Sequence, residues 1–165
     1  MAERRTRQEI LPSLLDRLTD EEPRNRSEGE VSRGQALRDL KASLRRDIEW
    51  LLNSRRRITE IPAGSVQLPE SLFNYGLPDL TGYALNTERD QSELVSLIEQ
   101  VIATFEPRLR TVIVSMQPIT AAARIIRFQI EGILRVEPGP ERIQFDTLLE
   151  LTSGTYKVEG GPGAQ

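Results

Sequence analysis

An α+β fold is predicted for this chain: an antiparallel β-meander packed against two main amphipathic helices, with an N-terminal helical extension. Three observations predict it. Two stretches carry apolar residues at helical spacing behind a capping residue, the hydrophobic period drops to two after about residue 111, and Pro/Gly turns rather than helices separate the alternating segments. Helices early and strands late are the signature of helices segregated onto one face of a sheet. The length, 165 residues, suits one domain that buries about 70% of its unfolded surface. With 38% apolar and 28% charged residues the composition is that of an ordinary globular chain, neither wholly disordered nor fibrous.

The first element is short. Leu14, Leu15 and Leu18 form an apolar stripe, and Pro12 is tolerated only in a first helical turn, so the helix is placed from about Pro12. Asp20 to Gly34, with Pro23 and Gly29 among charges, has no apolar period and reads as a flexible linker. Ser32 and Gln35 then have capping-box spacing, and Leu37, Leu40, Leu44, Ile48 and Leu51 recur along one face. The opposite face carries Arg38, Lys41, Arg45 and Asp47. Arg55, Arg56 and Arg57 follow at the negative end of the helix dipole and read as a solvated helix end rather than an anion site.

Between Glu60 and Asn86 no period is sustained, yet Leu68, Leu72, Phe73, Tyr75, Leu77, Leu80, Tyr83 and Leu85 are too apolar for a solvated loop. The segment is expected to lie packed on the core, and long irregular stretches of this kind tend to be functional. Thr87 and Asp90 repeat the capping spacing ahead of Leu94, Leu97, Ile98, Val101, Ile102 and Phe105, and Pro107 ends that helix near Glu106. Strands are predicted over Thr111–Met116, Ile126–Val136, Ile143–Leu151 and Tyr156–Val158, with a bulge marked by Gly132. The resulting division is 1–30 for the N-terminal helix and linker, 31–159 for the α+β domain and 160–165 for a disordered tail.

Absent residue types narrow the chemistry. The chain has no Cys and no His, which removes disulfides, thiolate nucleophiles, His-based triads and the commonest metal ligands. No metal and no cofactor is expected, since glycines at phosphate-loop spacing and aspartates at calcium-loop spacing are also missing. A net charge of −3 gives no general attraction to nucleic acid. Only Lys41 and Lys157 among the 22 basic residues are lysines, so the cations are almost all forked guanidinium groups. No apolar run approaches the roughly 20 residues of a membrane span, and Met1–Arg5 lacks the start of a signal peptide, so the chain is expected to remain where it is made.

Catalysis would have to rest on carboxylates, and Glu106, Asp79 and Glu70 lie beside turns, but their spacing fixes no acid pair. Two segments are left. In Phe105-Glu106-Pro107-Arg108-Leu109 the proline ends the helix and presents both charge signs from a stiff corner, where Glu106 and Arg108 either pair with each other or reach a partner; spacing alone favours the internal pair. In Ser71 to Gly82, apolar residues alternate with turn formers, which reads as a core-covering loop before it reads as a ligand site.

LFNYGLPDLTG, the helix closing in FEPRLR, the earlier LRRDIEWLLNSRR and the final meander together resemble the TssE family, the small baseplate wedge subunits of bacterial type VI secretion systems. These belong to a wider group of contractile-tail phage baseplate proteins (GPW) once called lysozyme-like. The resemblance runs from about Leu11 to Val158. It implies a non-catalytic, cytoplasmic protein in a baseplate docked at the inner membrane, linking the wedge core to the contractile sheath. The implied partners are other baseplate wedge subunits and contractile sheath proteins, with no nucleic acid and no membrane embedding. It also implies that Glu106, Pro107 and Arg108 contact the wedge core, that Leu72, Phe73, Tyr75, Leu77 and Asp79 belong to the partner-binding surface, and that sheath strands add to a free sheet edge. The alternatives are a peptidoglycan-degrading, lysozyme-like glycosidase and a regulatory anti-adaptor-like binding protein.

Overall fold

The structure is a computed structural model, and it describes residues 10, 13–19, 32–56, 61–79, 87–118, 125–137, 139–151 and 153–161. Among the described residues three α-helices precede a four-stranded antiparallel sheet: α1 (Leu14–Leu18), α2 (Arg33–Asn53), α3 (Glu88–Phe105), β1 (Leu109–Met116), β2 (Ile125–Leu134), β3 (Glu141–Glu150) and β4 (Thr155–Gly160). Two short 3₁₀ turns, Leu68–Glu70 and Leu72–Asn74, lie in the segment between α2 and α3. The strands follow one another in sheet order β1-β2-β3-β4, a plain meander.

Both long helices start where capping chemistry dictates. Ser32 accepts from the Gln35 amide at 3.2 Å, and Thr87 accepts from the Asp90 amide at the same distance. Gln35 does not complete a capping box, because its side chain bonds Asp39 and Arg38 instead. Behind these caps, Leu40, Leu44, Ile48, Leu51 and Leu52 of α2 and Leu94, Ile98, Val101 and Ile102 of α3 are buried. The α2 helix packs against β4 and α3 against β1, so both cover the same sheet face. That face is built from cross-strand rows set by the register: Val114, Ile130 and Phe145; Phe128, Thr147 and Val158; Ile126, Leu149 and Tyr156. Among the described helices none is long and apolar enough to cross a membrane.

Several expectations are corrected in detail. Gly132 does not mark a bulge in its own strand, since it stays in register with Ile143; the extra residue is on β1, where pairing jumps from Arg110 to Ile113 and Thr111 takes a left-handed φ of 52°. Gly34 lies inside α2 rather than in a linker, while linker residues 20–31 lie outside the described residues. Helix α1 begins at Leu14 with Ser13 as its cap, and Pro12 lies outside the described residues. Of the expected tail, Gly160 ends β4 and Gly161 is buried with its amide on the Gln144 carbonyl at 3.3 Å; residues 162–165 lie outside the description.

Two hydroxyls inside this core lack a hydrogen-bond partner among the described residues, those of Thr147 and Tyr156. The Tyr156 ring is 1% exposed and lies 6.4 Å, centroid to centroid, from Phe128, so its burial pushes the phenol well above its ordinary pKa despite the nearby Arg55 charge. Because a buried, unpaired hydroxyl costs about 1 kcal/mol or more, Tyr156→Phe is expected to raise stability by about that amount while keeping the ring contact. Chemical denaturation of the two proteins checks it, and a lower midpoint for the Phe variant would contradict the geometry.

Candidate functional site

The corner after α3 is where the sequence-singled residues meet. Pro107 cannot extend the helix, so α3 closes at Phe105 and Glu106 leaves helical angles (φ −119°, ψ 78°) while its amide still bonds the Ile102 carbonyl at 2.8 Å. This bend turns the Glu106 side chain inward, to 5% exposure for the residue, and leaves Pro107 at the surface. Arg108 reaches back with a fork. Its Nε donates to Glu106 Oε1 at 2.7 Å, its Nη2 donates to Glu106 Oε2, and the same Nη2 donates to Asp47 Oδ2 at 2.6 Å. Hydrogen bonding to Glu106, opposed by burial and reinforced by Asp47, pushes the guanidinium above its ordinary pKa.

Asp47 extends this pair into a chain of alternating charges. Its Oδ1 lies 3.0 Å from Arg46 Nη2, and the same nitrogen lies 2.8 Å from Asp16 Oδ1 on α1. Arg46 also stacks over the exposed Trp50, 4.9 Å from the ring centroid. Burial works against ionised Asp16, but bonds from the Ser13 and Ser43 hydroxyls, both at 2.6 Å, and the Arg46 bond and charge hold its carboxyl down at about 2. Thus α1 is tied to α2, and α2 to the corner, through carboxylates and guanidinium groups, while Leu14, Leu15 and Leu18 are exposed.

Nothing in the sequence pattern distinguishes Asp47 from the other polar residues of α2. It is 61 positions from Arg108, and only the packing of α2 beside the α3–β1 bend joins them. The internal pairing that spacing favours for Glu106 and Arg108 is therefore present, with a third partner. About a quarter of the Arg108 side chain (26%) remains exposed.

The irregular segment is pinned to the end of α2. The Leu77 amide donates to the Ser54 carbonyl and the Arg56 amide to the Leu77 carbonyl, both at 2.9 Å, a small parallel bridge. The Arg55 fork bonds the carbonyls of Leu52 and Gly154, at 3.2 and 2.7 Å, so this arginine, exposed as expected, also ties the helix end to the β3–β4 turn; Arg57 lies outside the described residues. Leu77 is fully buried, and Tyr75 packs edge-on against Phe105 with ring centroids 5.3 Å apart. Burial, and then the charges of Asp47 and Glu106, push the Tyr75 phenol upward. Tyr75 therefore joins the corner. Leu72 and Phe73 do not cover the core as expected; they are 85% and 41% exposed, because the 3₁₀ turn capped by Ser71 carries them outward. Asp79 is exposed, and Leu80, Tyr83 and Leu85 lie outside the described residues.

Both sheet margins carry side-chain caps. On β4, Asn53 takes the Tyr156 amide at 2.9 Å and donates to its carbonyl at 2.8 Å, while Glu49 accepts the Val158 amide at 2.9 Å. On β1 the Val114 amide donates to Glu99 at 2.8 Å. Such caps protect strands that would otherwise template further pairing.

Comparison with known proteins adds the following. No curated protein matches the chain. A chain of one solved structure, the baseplate complex from the type VI secretion system, is similar at 22% identity over 66% of this chain and 93% of that chain, with a TM-score of 0.47. The family model described as baseplate wedge protein gp25 matches residues 38–139, more than half of the sequence and the whole of the corner between α2, α3 and β1. The chain belongs to the baseplate wedge protein gp25 family.

Proposed function

We propose that the chain is a non-catalytic structural subunit of a type VI secretion baseplate, cytoplasmic in a baseplate docked at the inner membrane, linking the wedge core to the contractile sheath. The observation that carries this reading is the family match from Arg38 to Gly139, which spans the corner itself. The corner is rigid by construction: a proline-terminated helix, a forked Arg108 held between Glu106 and Asp47, and Tyr75 packed on Phe105. In this reading Pro107 and the exposed part of Arg108 meet the larger wedge subunits, with Glu106 orienting the guanidinium. Leu72, Phe73 and Asp79 extend the contact, while Tyr75 and Leu77 hold their loop in place.

For the sheath, strand addition on β1 is favoured over β4. Asn53 and Glu49 occupy three edge groups of β4, whereas on β1 one carboxylate, Glu99, holds one amide and can swing away when a strand carbonyl replaces it.

Affinity purification from the native cells, with the intact chain and with Arg108→Lys as baits, tests the wedge contact. The lysine keeps the charge but loses the fork. The intact chain is expected to bring down the larger wedge subunits and the variant to recover at least about tenfold less, in line with loss of a hydrogen-bonded charge pair. Equal recovery by two equally folded baits would remove the corner from the interface.

A further inference from the structure

The face of the sheet turned away from the helices carries a cluster of arginines at one end. Register places Arg110 of β1 beside Ile133 of β2, and Ile133 beside Arg142 of β3, in one cross-strand row. Arg135 follows two residues after Ile133, its amide on the Arg108 carbonyl at 2.9 Å. All three arginines are exposed and Ile133 is half-buried between them. Among the described residues no carboxylate lies within 4.0 Å of any of the three, although Glu131 and Glu137 are exposed on either side along the chain. At the other end of the face Arg127, Leu148 and Lys157 make a row of the same kind, but there one cation is already neutralised, since Lys157 pairs with Glu159 at 3.0 Å.

Like charges gathered on one sheet face repel, and neutralising them with a partner's carboxylates removes that cost. Arg110 and Arg142 lie two strands apart, about 9–10 Å between backbones, with an apolar side chain between them. We infer that Arg110, Arg135 and Arg142 around Ile133 form a docking patch for an acidic, extended segment of a partner protein, with carboxylates on the guanidinium forks and an apolar residue on Ile133. A peptide fits better than a nucleic acid. Its carboxylates match the forks two by two, it can seat an apolar side chain, and it need not run its charge past Glu131 and Glu137 on a chain whose net charge is −3. The patch adjoins the Glu106–Arg108 corner through the Arg135–Arg108 backbone bond but uses other side chains, and the inference stands whether or not that corner meets wedge subunits.

The test uses the full chain and a fluorescein-labelled peptide of four glutamates, one leucine and four glutamates, read by anisotropy at low and at physiological salt. Arg110→Glu/Arg142→Glu is expected to weaken binding at least about tenfold, and salt to weaken it further, while Arg127→Glu leaves it within about twofold. Should the charge reversals melt early, Arg110→Gln/Arg142→Gln takes their place, with the same direction of change. No binding by the intact chain, equal loss with Arg127→Glu, or tighter Arg110/Arg142-dependent binding of a single-stranded oligonucleotide or of phosphatidylserine vesicles would overturn the inference.

Discussion

Arg108→Ala is expected to lower stability by about 2–3 kcal/mol, the cost of stranding a nearly buried carboxylate whose cation has been removed. Glu106 is 5% exposed, and without Arg108 it keeps only the backbone amide of residue 108, now 3.2 Å away, as a donor from the corner. Asp47 loses its bond across to the α3–β1 bend and retains Arg46. For a chain of this size the melting temperature should fall by roughly 5–10 °C. A double-mutant cycle with Asp47→Asn should return a coupling of about 1 kcal/mol or more, as for residues in one ionic network. Additive effects in that cycle would show that Arg108 acts through Glu106 alone. The same loss explains why partner binding is better tested with Arg108→Lys: alanine removes the contact and loosens the corner together.

Gly76→Ala should cost more, about 3–4 kcal/mol, through backbone strain and lost burial combined. Gly76 has a φ of +99°, a conformation that side chains disfavour, and a Cβ there would sit 2.4 Å from the Ser54 carbonyl oxygen. That oxygen accepts the Leu77 amide at 2.9 Å, so relief of the clash requires the bridge to open. Leu77, fully buried next in the chain, would be drawn out of the core, and Tyr75 would lose its fixed approach to Phe105. Urea unfolding measures the loss; an unchanged midpoint would mean that the loop is not anchored as described. Reduced near-ultraviolet signal from Tyr75 at unchanged helix content would mark the intermediate case, a detached loop on an intact sheet.

Local pattern carried much of this fold. The helices begin at the capping residues Ser32 and Thr87, and Pro107 stops α3 where a ring without an N–H must. Alternation in β2 and β3 put Ile126, Phe128, Ile130, Ile143, Phe145 and Leu149 on the buried face. Prediction was weakest where burial depends on distant neighbours. Leu72 and Phe73 are as apolar as Leu77, yet only Leu77 is fully buried, because only it is bridged to the end of α2. The β1 bulge was equally hidden, since Thr111 carries no mark of a left-handed φ and the visible glycine lies on the opposite strand.

The candidate site divides along the same line. By itself the sequence determined its pieces: a proline-stopped helix with an acid before and an arginine after, a turn-rich apolar segment, and arginine as almost the only cation. These follow from φ restriction, spacing and composition, which act within a few residues. Tertiary structure alone decided that Asp47 shares Arg108 with Glu106, that Tyr75 packs beside them, and that Arg110 and Arg142 flank Ile133 across three strands. Electrostatic bonds depend on distances in space, and those distances are set when α2 and α3 come to rest side by side on a common sheet.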